Sequence, residues 1–433
     1  MPTARRPSHN RLEPHSEVTG IYQMLAKEHP PALYQLCFAV LCERWAGFTL
    51  ISTAALMLCE RSGFPKADAL RLWGCVSAAS YLGSLPGGHI VDRCRSPCRV
   101  LSSSMLILLL GYLALSLPCR PAVLVAFGTI IIGQSFYKPS IQRTLASLYP
   151  TGDPRLEGAQ VLLHIAINLG AAAGSFAAGI LVRFAGWSVT YASAALLLGV
   201  GLAFLWRQER DPDPHSLTLL ARHSTSNNSQ LATGFRSFLT IGTLTIAMFL
   251  FTVATAQAEG ALLLWAESRT DRLVLGFEIP VAWFVTFAAL LVLLLAPIQL
   301  AVLPMLKDRL GTGKLVALGL LAAAASFAVL IPTTLWTSRI SIAWPAASLS
   351  FFVVAELLVA PLGLALLLRS TPNRYIGVIT GLWYSAGALG YFVGGEIGAL
   401  WSLWPTQRIL LLMSLLPLCG AVLLWRARTT PGS

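Results

Sequence analysis

Apolar stretches of about 20 residues recur along the whole chain, and short polar segments separate them. A helix of this length crosses the roughly 30 Å hydrocarbon core of a bilayer, whereas barrel strands would show alternating polarity. The pattern predicts an all-α membrane protein with about twelve transmembrane helices. The predicted helices begin near Leu33, Leu70, Val100, Ala122, Gln160, Ser188, Leu239, Ile279, Leu315, Ile342, Ile376 and Ile409.

The longest polar interruption is rich in Asp, Pro, Ser, Asn and Arg, which is typical of a flexible linker. It divides the predicted helices into two sets of six. The predicted organisation is a cytoplasmic tail at 1–32, a six-helix half at 33–206, a cytoplasmic linker at 207–237, a second half at 238–426 and a cytoplasmic tail at 427–433.

Two similar polar turns support this division into halves. Gly88, Asp92 and Arg93 lie between the second and third predicted helices, and Asp308 and Arg309 lie between the eighth and ninth. Two six-helix halves with matching Asp-Arg turns resemble the plan of the major facilitator superfamily, which holds its substrate near the midplane between the halves. We therefore predict a gating role for the first turn, with a solvated anchor as the alternative.

Composition and charge agree with a membrane protein and indicate its orientation. The chain is 55% hydrophobic and 12% charged, against about 25% charged residues in soluble domains. About twenty basic residues fall in loops predicted to be cytoplasmic and about nine in the opposite loops, which places both termini in the cytoplasm. The net charge of +12 thus indicates orientation, and no nucleic-acid partner is expected.

Enzymatic and metal-binding functions have no support in the sequence. The sequence shows no nucleotide-binding loop, no nucleophile elbow and no zinc-binding helix motif. The eight cysteines form no disulfide framework, and Cys94 and Cys98 lack further ligands for a metal ion. We therefore expect a protein that is not an enzyme and that has neither a metal nor a cofactor.

Four charged residues interrupt the apolar stretches: Glu43, Arg44, Lys138 and Glu356. Insertion scales put a charge at the centre of a membrane helix at about 2.5–3.5 kcal/mol, so such residues usually face a path for an ion or a solute. They predict a transporter.

Longer strings carry a more specific resemblance, and they follow one another along nearly the whole chain. They are HPPALYQLCFAVLCERW at 29–45, SFYKPSIQRTLASLYPTGDPR at 135–155, AINLG at 166–170, LLLWAESRTDR at 262–272 and AELLVAPLGLALLLRSTPNRYIGVITGLWY at 355–384. These strings resemble signatures of the proton-dependent oligopeptide transporter family, within the major facilitator superfamily. The chain is identified as a divergent member of that family.

The resemblance implies a substrate site. Lys138 and Glu356 match the lysine and glutamate that engage the two ends of a peptide from opposite halves. Such a pair would bind a zwitterion, or its members would bind each other when the cavity is empty; a purely structural ion pair is the alternative. Asn168, Gln257 and Trp383 match further substrate-binding positions, although tryptophan in membrane helices also serves packing.

The resemblance also implies a proton site, but several family residues are missing. Glu43 and Arg44 match the end of the E-x-x-E-R motif, and Glu259 lies one turn beyond the expected helix-seven glutamate. His164 adds a group that titrates near neutrality, or a hydrogen-bonded core histidine. The departures from the family pattern are Val40, Gly47, Ile51 and Ala256. Retained proton coupling, lost coupling and a packing role for Glu43 and Arg44 all stay open.

These observations predict a secondary active transporter of the bacterial inner membrane. It would carry di- or tripeptides, or peptide-like zwitterions, together with protons by alternating access, and it would contact membrane lipid. The alternatives keep the fold but carry a non-peptide metabolite, or act as an uncoupled facilitator or exporter. A sensor without transport is a further alternative.

Overall fold

The structure is a computed structural model that describes residues 29–94, 96–150, 153, 155–210, 235–371 and 376–426. The predicted tail at 427–433 lies outside these residues, as do most of the predicted tail at 1–32 and most of the linker at 207–237. Those boundaries stay predictions.

The described chain is almost entirely helical, which confirms the predicted all-α architecture. The helices are α1 Pro31–Leu56, α2 Lys66–Arg93, α3 Pro97–Ser116, α4 Arg120–Ser147, α5 Arg155–Arg210, α6 Phe235–Ala256, α7 Leu262–Arg269, α8 Ala282–Leu310, α9 Thr312–Ala328, α10 Ala343–Arg369, α11 Ile376–Leu400 and α12 Thr406–Arg426. π-Helical turns extend α1 over Met57–Arg61 and join α6 to α7 over Gln257–Ala261, and a 3-10 turn spans Ile331–Leu335.

Twelve helical rods result within the described residues. Gly186 has φ 80° and ψ 173°, outside the helical region, so it divides α5 into two arms near the predicted helix start at Ser188. Conversely, α6 and α7 form one continuous rod through their π-helical turn. Nine of the described helices, with α5 counted once and α6–α7 counted once, are long and apolar enough to cross a membrane. The remaining long rods, α2 and α11, have 28 and 25 residues.

Four short strands mark one end of the bundle: β1 Thr270–Asp271, β2 Leu273–Val274, β3 Phe277–Glu278 and β4 Ile340–Ser341. We call this end, with the turn that follows Arg61, the strand end. β1 pairs in parallel with β4, and β2 pairs with β3 in an antiparallel hairpin. Leu275 and Gly276 form the hairpin turn, and both have a positive φ, of 51° and 79°.

Two buried cores lie on either side of the predicted linker. One joins side chains of α1 to α5, such as Leu108 and Tyr191, and the other joins α6 to α12, such as Phe327 and Val359. Each core is built within one half because the helices of a half pack mainly against one another. The space between the two cores is therefore the place where a polar site fits.

Small residues let the halves touch. A Cβ on Gly74 of α2 would lie 2.7 Å from the Cα of Gly395 on α11, so the two helices approach closely only because both residues are glycine. The first arm of α5 meets α8 through a 2.9 Å hydrogen bond between the hydroxyls of Ser175 and Thr286. Near the strand end, Leu70 packs with Ala261 and Leu264 across the same boundary.

Candidate functional site

Glu43 lies on α1 and is almost completely buried, with 1% of its surface exposed. Arg44 Nε donates a 2.5 Å hydrogen bond to Oε2, and Gln134 Nε2 on α4 donates a 2.7 Å hydrogen bond to Oε1. Adjacent helical residues point about 100° apart, so the sequence alone did not require Glu43 and Arg44 to pair. Their pairing compensates the burial of both charges, and each carboxylate oxygen already has a donor.

Lys138 follows Gln134 by one turn on α4, on the same helical side. Its Nζ lies 3.7 Å from the centroid of the Tyr81 ring on α2, which is cation–π geometry. Lys138 attracts Glu259 and Glu43 electrostatically and repels Arg44. In the described chain Lys138 forms no ion pair with Glu356, so the predicted mutual pairing of these two residues is not seen in this structure.

Glu259 lies in the π-helical turn Gln257–Ala261, a distortion that often marks a functional position in a helix. The hydroxyl of Tyr391 on α11 lies 3.3 Å from each of its carboxylate oxygens and donates to them. The rings of Tyr391 and Tyr81 are 5.1 Å apart between centroids. Glu259, Tyr391, Tyr81 and Lys138 therefore form one chain of contacts across the boundary between the halves.

Glu356 is an exposed residue in the middle of the apolar helix α10. It interacts electrostatically with Glu259 and with Tyr81, so it faces the space between the halves and not the lipid. Among the described residues it has no hydrogen-bond partner and no ion pair. An unpaired carboxylate beside this cluster is available to an incoming cationic group.

His164 and Asn168 lie one turn apart on the first arm of α5. Asn168 Nδ2 is 3.2 Å from His164 Nε2 and donates a 3.0 Å hydrogen bond to the His164 carbonyl oxygen. His164 is exposed and Asn168 is buried. The two side chains thus form a local polar pair, and their contacts do not extend to Glu43 or Glu259.

Gln257 and Trp383 pack inside the C-terminal half. The amide of Gln257 donates a hydrogen bond to the Gly394 carbonyl oxygen and accepts one of 2.9 Å from Trp401 Nε1, and its side chain is fully buried. Trp383 is 3% exposed and lies against Gly363 of α10. Both side chains are thus held by contacts within this half, and their predicted role in substrate binding stays a prediction.

The predicted gating turn ends α2. Asp92 and Arg93 are exposed, and a Cβ on Gly88 would lie 3.7 Å from Pro139 Cβ, next to Lys138 on α4. A Cβ on the preceding Gly87 would overlap the Ser135 carbonyl oxygen, so α2 and α4 touch backbone to backbone here. The turn is thus attached to the segment that carries Lys138, and its gating role stays a prediction.

Sequence reasoning missed three residues of this cluster: Gln134, Tyr81 and Tyr391. Gln134 gave a usable signal, since it is an amide in an apolar helix, four residues before a charged one. The tyrosines gave none, because aromatic residues are common in membrane helices and the sequence does not show which helices are neighbours.

Known proteins resemble this chain over most of its length. Residues 36–395 match the model of the Major Facilitator Superfamily. The peptide transporter YePEPT of Yersinia enterocolitica subsp. palearctica serotype O:3 (strain YE-P4) is 25% identical, over 86% of this chain and 88% of that protein. The dipeptide and tripeptide permease A of Escherichia coli (strain K12) is 23% identical, over 87% and 85% of the two chains.

Solved structures show the same architecture. A transporter of the POT family in complex with 5-aminolevulinic acid superposes with a TM-score of 0.82 at 19% identity, over 91% of this chain and 95% of that one. The peptide transporter POT in complex with sulfate gives a TM-score of 0.83 at 19% identity, over 93% and 97%. The predicted fold and the predicted family resemblance are confirmed. With a model match over most of its length, the chain belongs to the Major Facilitator Superfamily.

Proposed function

We propose that this protein is a secondary active transporter that moves di- or tripeptides, or similar small zwitterions, by alternating access. Its similarity to proteins named as peptide transporters and as dipeptide and tripeptide permeases supports this substrate class. The neighbouring structure with 5-aminolevulinic acid supports it too, since that ligand carries an amino group and a carboxylic acid.

The observation that carries the proposal is the charge cluster between the halves. Lys138 belongs to α4 of the first half, whereas Glu259 and Glu356 belong to the second half. A peptide would place its carboxylate at Lys138 and its ammonium group at Glu356, the carboxylate with no partner in the described chain. Each charged end of the peptide would then bind a residue of a different half, so that the bound peptide bridges the two halves.

The charge balance of the cluster supports coupling to a proton. Glu43 and Arg44 compensate each other, which leaves one positive and two negative groups: Lys138, Glu259 and Glu356. A zwitterion adds no net charge, and enclosing a net charge in an apolar bundle is unfavourable. One proton on a carboxylate would make the occupied site neutral.

Glu259 is the carboxylate we assign to this proton. Its only hydrogen-bond donor in the described chain, Tyr391, lies at a long distance of 3.3 Å. Glu43, by contrast, would have to release either Arg44 or Gln134 to take a proton. His164 bonds to Asn168 and lies outside this path. In this proposal the proton-coupling function rests on Glu259 and does not need the family glutamates missing at Val40 and Ala256.

An integral membrane location follows from the spans, and we propose the bacterial inner membrane with both termini in the cytoplasm. The excess of basic residues in one set of loops supports that orientation. The relatives named above are bacterial, which supports the location. The strand end would then face away from the cytoplasm.

The test is uptake of radiolabelled dialanine into proteoliposomes, with and without an inward proton gradient. The expected result is accumulation above equilibrium only with the gradient, and loss of uptake in Lys138→Ala and in Glu356→Gln. Lys314→Ala and Glu396→Gln are the matched controls, since both residues lie outside the cluster. Near-normal uptake by both cluster variants would contradict the site.

An uncoupled facilitator is the second candidate, because two of the missing carboxylates are replaced by buried apolar residues, Val40 and Ala256. It predicts uptake that stops at equal concentrations on both sides, whatever the gradient. Accumulation by the wild-type protein that Glu259→Gln abolishes would exclude it.

A further inference from the structure

A cavity of about 300 Å³ lies between the halves at the strand end. Its volume reaches the lower end of the range of small-molecule sites. Residues of α1 and α5 line it on one side, and residues of α7, the strand segment and the start of α8 line it on the other. The charged and aromatic lining consists of Glu60, Arg183, Trp187, Glu267, Arg272 and Glu278.

This cavity is separate from the cluster around Lys138. The two lie on the same rod, but Glu267 follows Glu259 by eight residues, or about 12 Å along a helix. None of the residues of the Lys138 cluster lines the strand-end cavity.

Two carboxylates from opposite halves line this cavity. Glu60 ends α1 in the first half, Glu267 lies on α7 in the second half, and they repel each other. Lys66 and Arg272 attract Glu267 from a distance, and Glu278 repels it. In the described part of the chain neither Glu60 nor Glu267 has a hydrogen bond or an ion pair. The cavity therefore contains two carboxylates that repel each other, which favours a cationic group between them.

Two arginines in the lining, one from each half, supply donors. Arg272 donates to the Ile279 carbonyl oxygen at 2.6 Å and to the Glu278 carboxylate at 2.8 Å. Its Nε, however, is buried with no acceptor among the described residues, and a buried donor without a partner is costly. Arg183 is exposed at the rim and donates to the Glu278 carbonyl oxygen. An anionic group would give Arg272 Nε an acceptor.

We propose that the strand-end cavity is a second binding site for a zwitterionic, peptide-like solute. Its ammonium group would lie between Glu60 and Glu267, and its carboxylate would face Arg272 and Arg183. The inference takes its substrate class from the proposed function, but it assigns a site made of other residues. Because the lining comes from both halves, the site exists only while the strand end is closed, and its occupant stabilises that closed state.

The test is the number of dialanine molecules bound per chain by the intact protein in nanodiscs, measured by equilibrium dialysis. The wild-type protein should bind two and Glu356→Gln should bind one. Glu60→Gln/Glu267→Gln should also bind one, and the triple variant none. These glutamine substitutions keep the shape of each side chain, and Glu396→Gln is the control at an exposed carboxylate near this end. Gel filtration and circular dichroism verify the fold of every variant.

Trp187 lines the cavity and provides a second measurement. A dialanine-induced change in tryptophan fluorescence should persist in Glu356→Gln, and it should disappear in Trp187→Phe and in Glu60→Gln/Glu267→Gln. N-acetyl-dialanine, which lacks the ammonium group, should bind this site at least about tenfold more weakly.

The outcomes separate the two proposals. One bound dialanine that Glu356→Gln abolishes would overturn the second site and leave the proposed function standing. One bound dialanine that only Glu60→Gln/Glu267→Gln abolishes would support the second site and contradict the assignment of Lys138 and Glu356. Equal binding of N-acetyl-dialanine in the Glu356→Gln variant would overturn the recognition of the ammonium group.

Discussion

Gln134 Nε2 donates a 2.7 Å hydrogen bond to Glu43 Oε1, and thereby ties α4 to α1 one turn before Lys138. With Arg44 on the other oxygen, the α1 carboxylate is enclosed by its own half. Lys138, which attracts Glu43, is left to contact Tyr81 and to attract Glu259 in the other half. The Gln134 contact thus supports the proposal that Glu259, and not Glu43, takes the proton.

Replacing Gln134 by Leu should destabilise the protein by about 1–3 kcal/mol, because one oxygen of a buried carboxylate loses its donor. Thermal unfolding in detergent measures this change. Gln142→Leu, an exposed change at another glutamine of α4, is the control. An unchanged unfolding midpoint in Gln134→Leu would show that the hydrogen bond adds nothing to stability.

Removing the charge of Glu43 alone should destabilise the protein more than removing the charges of both Glu43 and Arg44. Glu43→Gln leaves Arg44 without its partner, which typically costs about 3–5 kcal/mol in a buried pair. Glu43→Gln/Arg44→Gln should unfold at a higher temperature than Glu43→Gln. Additive effects of the two single changes would mean that the residues act independently.

Tyr391→Phe should separate coupling from folding. The ring still packs beside Tyr81, but the donor to Glu259 is lost, at about 0.5–1.5 kcal/mol. We expect a changed pH dependence of uptake with little change in the unfolding temperature. Tyr112→Phe, at a buried tyrosine in the core of the first half, is the control. A wild-type pH profile in Tyr391→Phe would argue against Glu259 as the proton site.

Gly74→Ala should disturb the contact between the halves. The new Cβ would lie 2.7 Å from Gly395 Cα and 2.8 Å from the carbonyl oxygen of Tyr391. Such overpacking typically costs about 1–3 kcal/mol, and here it also shifts the residue that bonds Glu259. Uptake should fall in this variant and persist in Gly128→Ala, whose Cβ would meet no atom within 4 Å. Equal uptake in both would show that α2 and α11 have room to separate.

Leu275→Asn should stabilise the strand-end hairpin. Leu275 is fully exposed with φ 51°, and this left-handed conformation costs about 1–2 kcal/mol for a residue with an ordinary side chain. Asn tolerates it, and Asn-Gly is the favoured pair in such two-residue turns. Thermal unfolding should show a gain of up to about 1 kcal/mol. A lower unfolding temperature in Leu275→Asn would mean that the Leu275 side chain makes a favourable contact.

The sequence allowed much of the fold to be predicted, because apolar runs of membrane-spanning length hardly admit another structure. The break at Gly186 fell near a predicted helix start for this reason. Charges in apolar helices likewise identified Glu43, Lys138 and Glu356. The residues that contact them could not be predicted. Helical periodicity shows on which side of its helix a residue lies, but it does not show which residues of a neighbouring helix lie opposite. The contacts of Gln257 with Trp401 and of Trp383 with Gly363 were missed on the same ground, because each depends on a neighbouring helix.

The parallel pairing of β1 with β4 has a mechanical consequence. It joins the segment after α7 to the segment before α10, through Thr270 with Ile340 and Asp271 with Ser341. The helix that carries Glu267 and the helix that carries Glu356 are therefore fastened together at one end. A displacement of one helix at this end would therefore displace the other. Movements of Glu267 and Glu356, which lie at different depths of the membrane, would be coupled in this way.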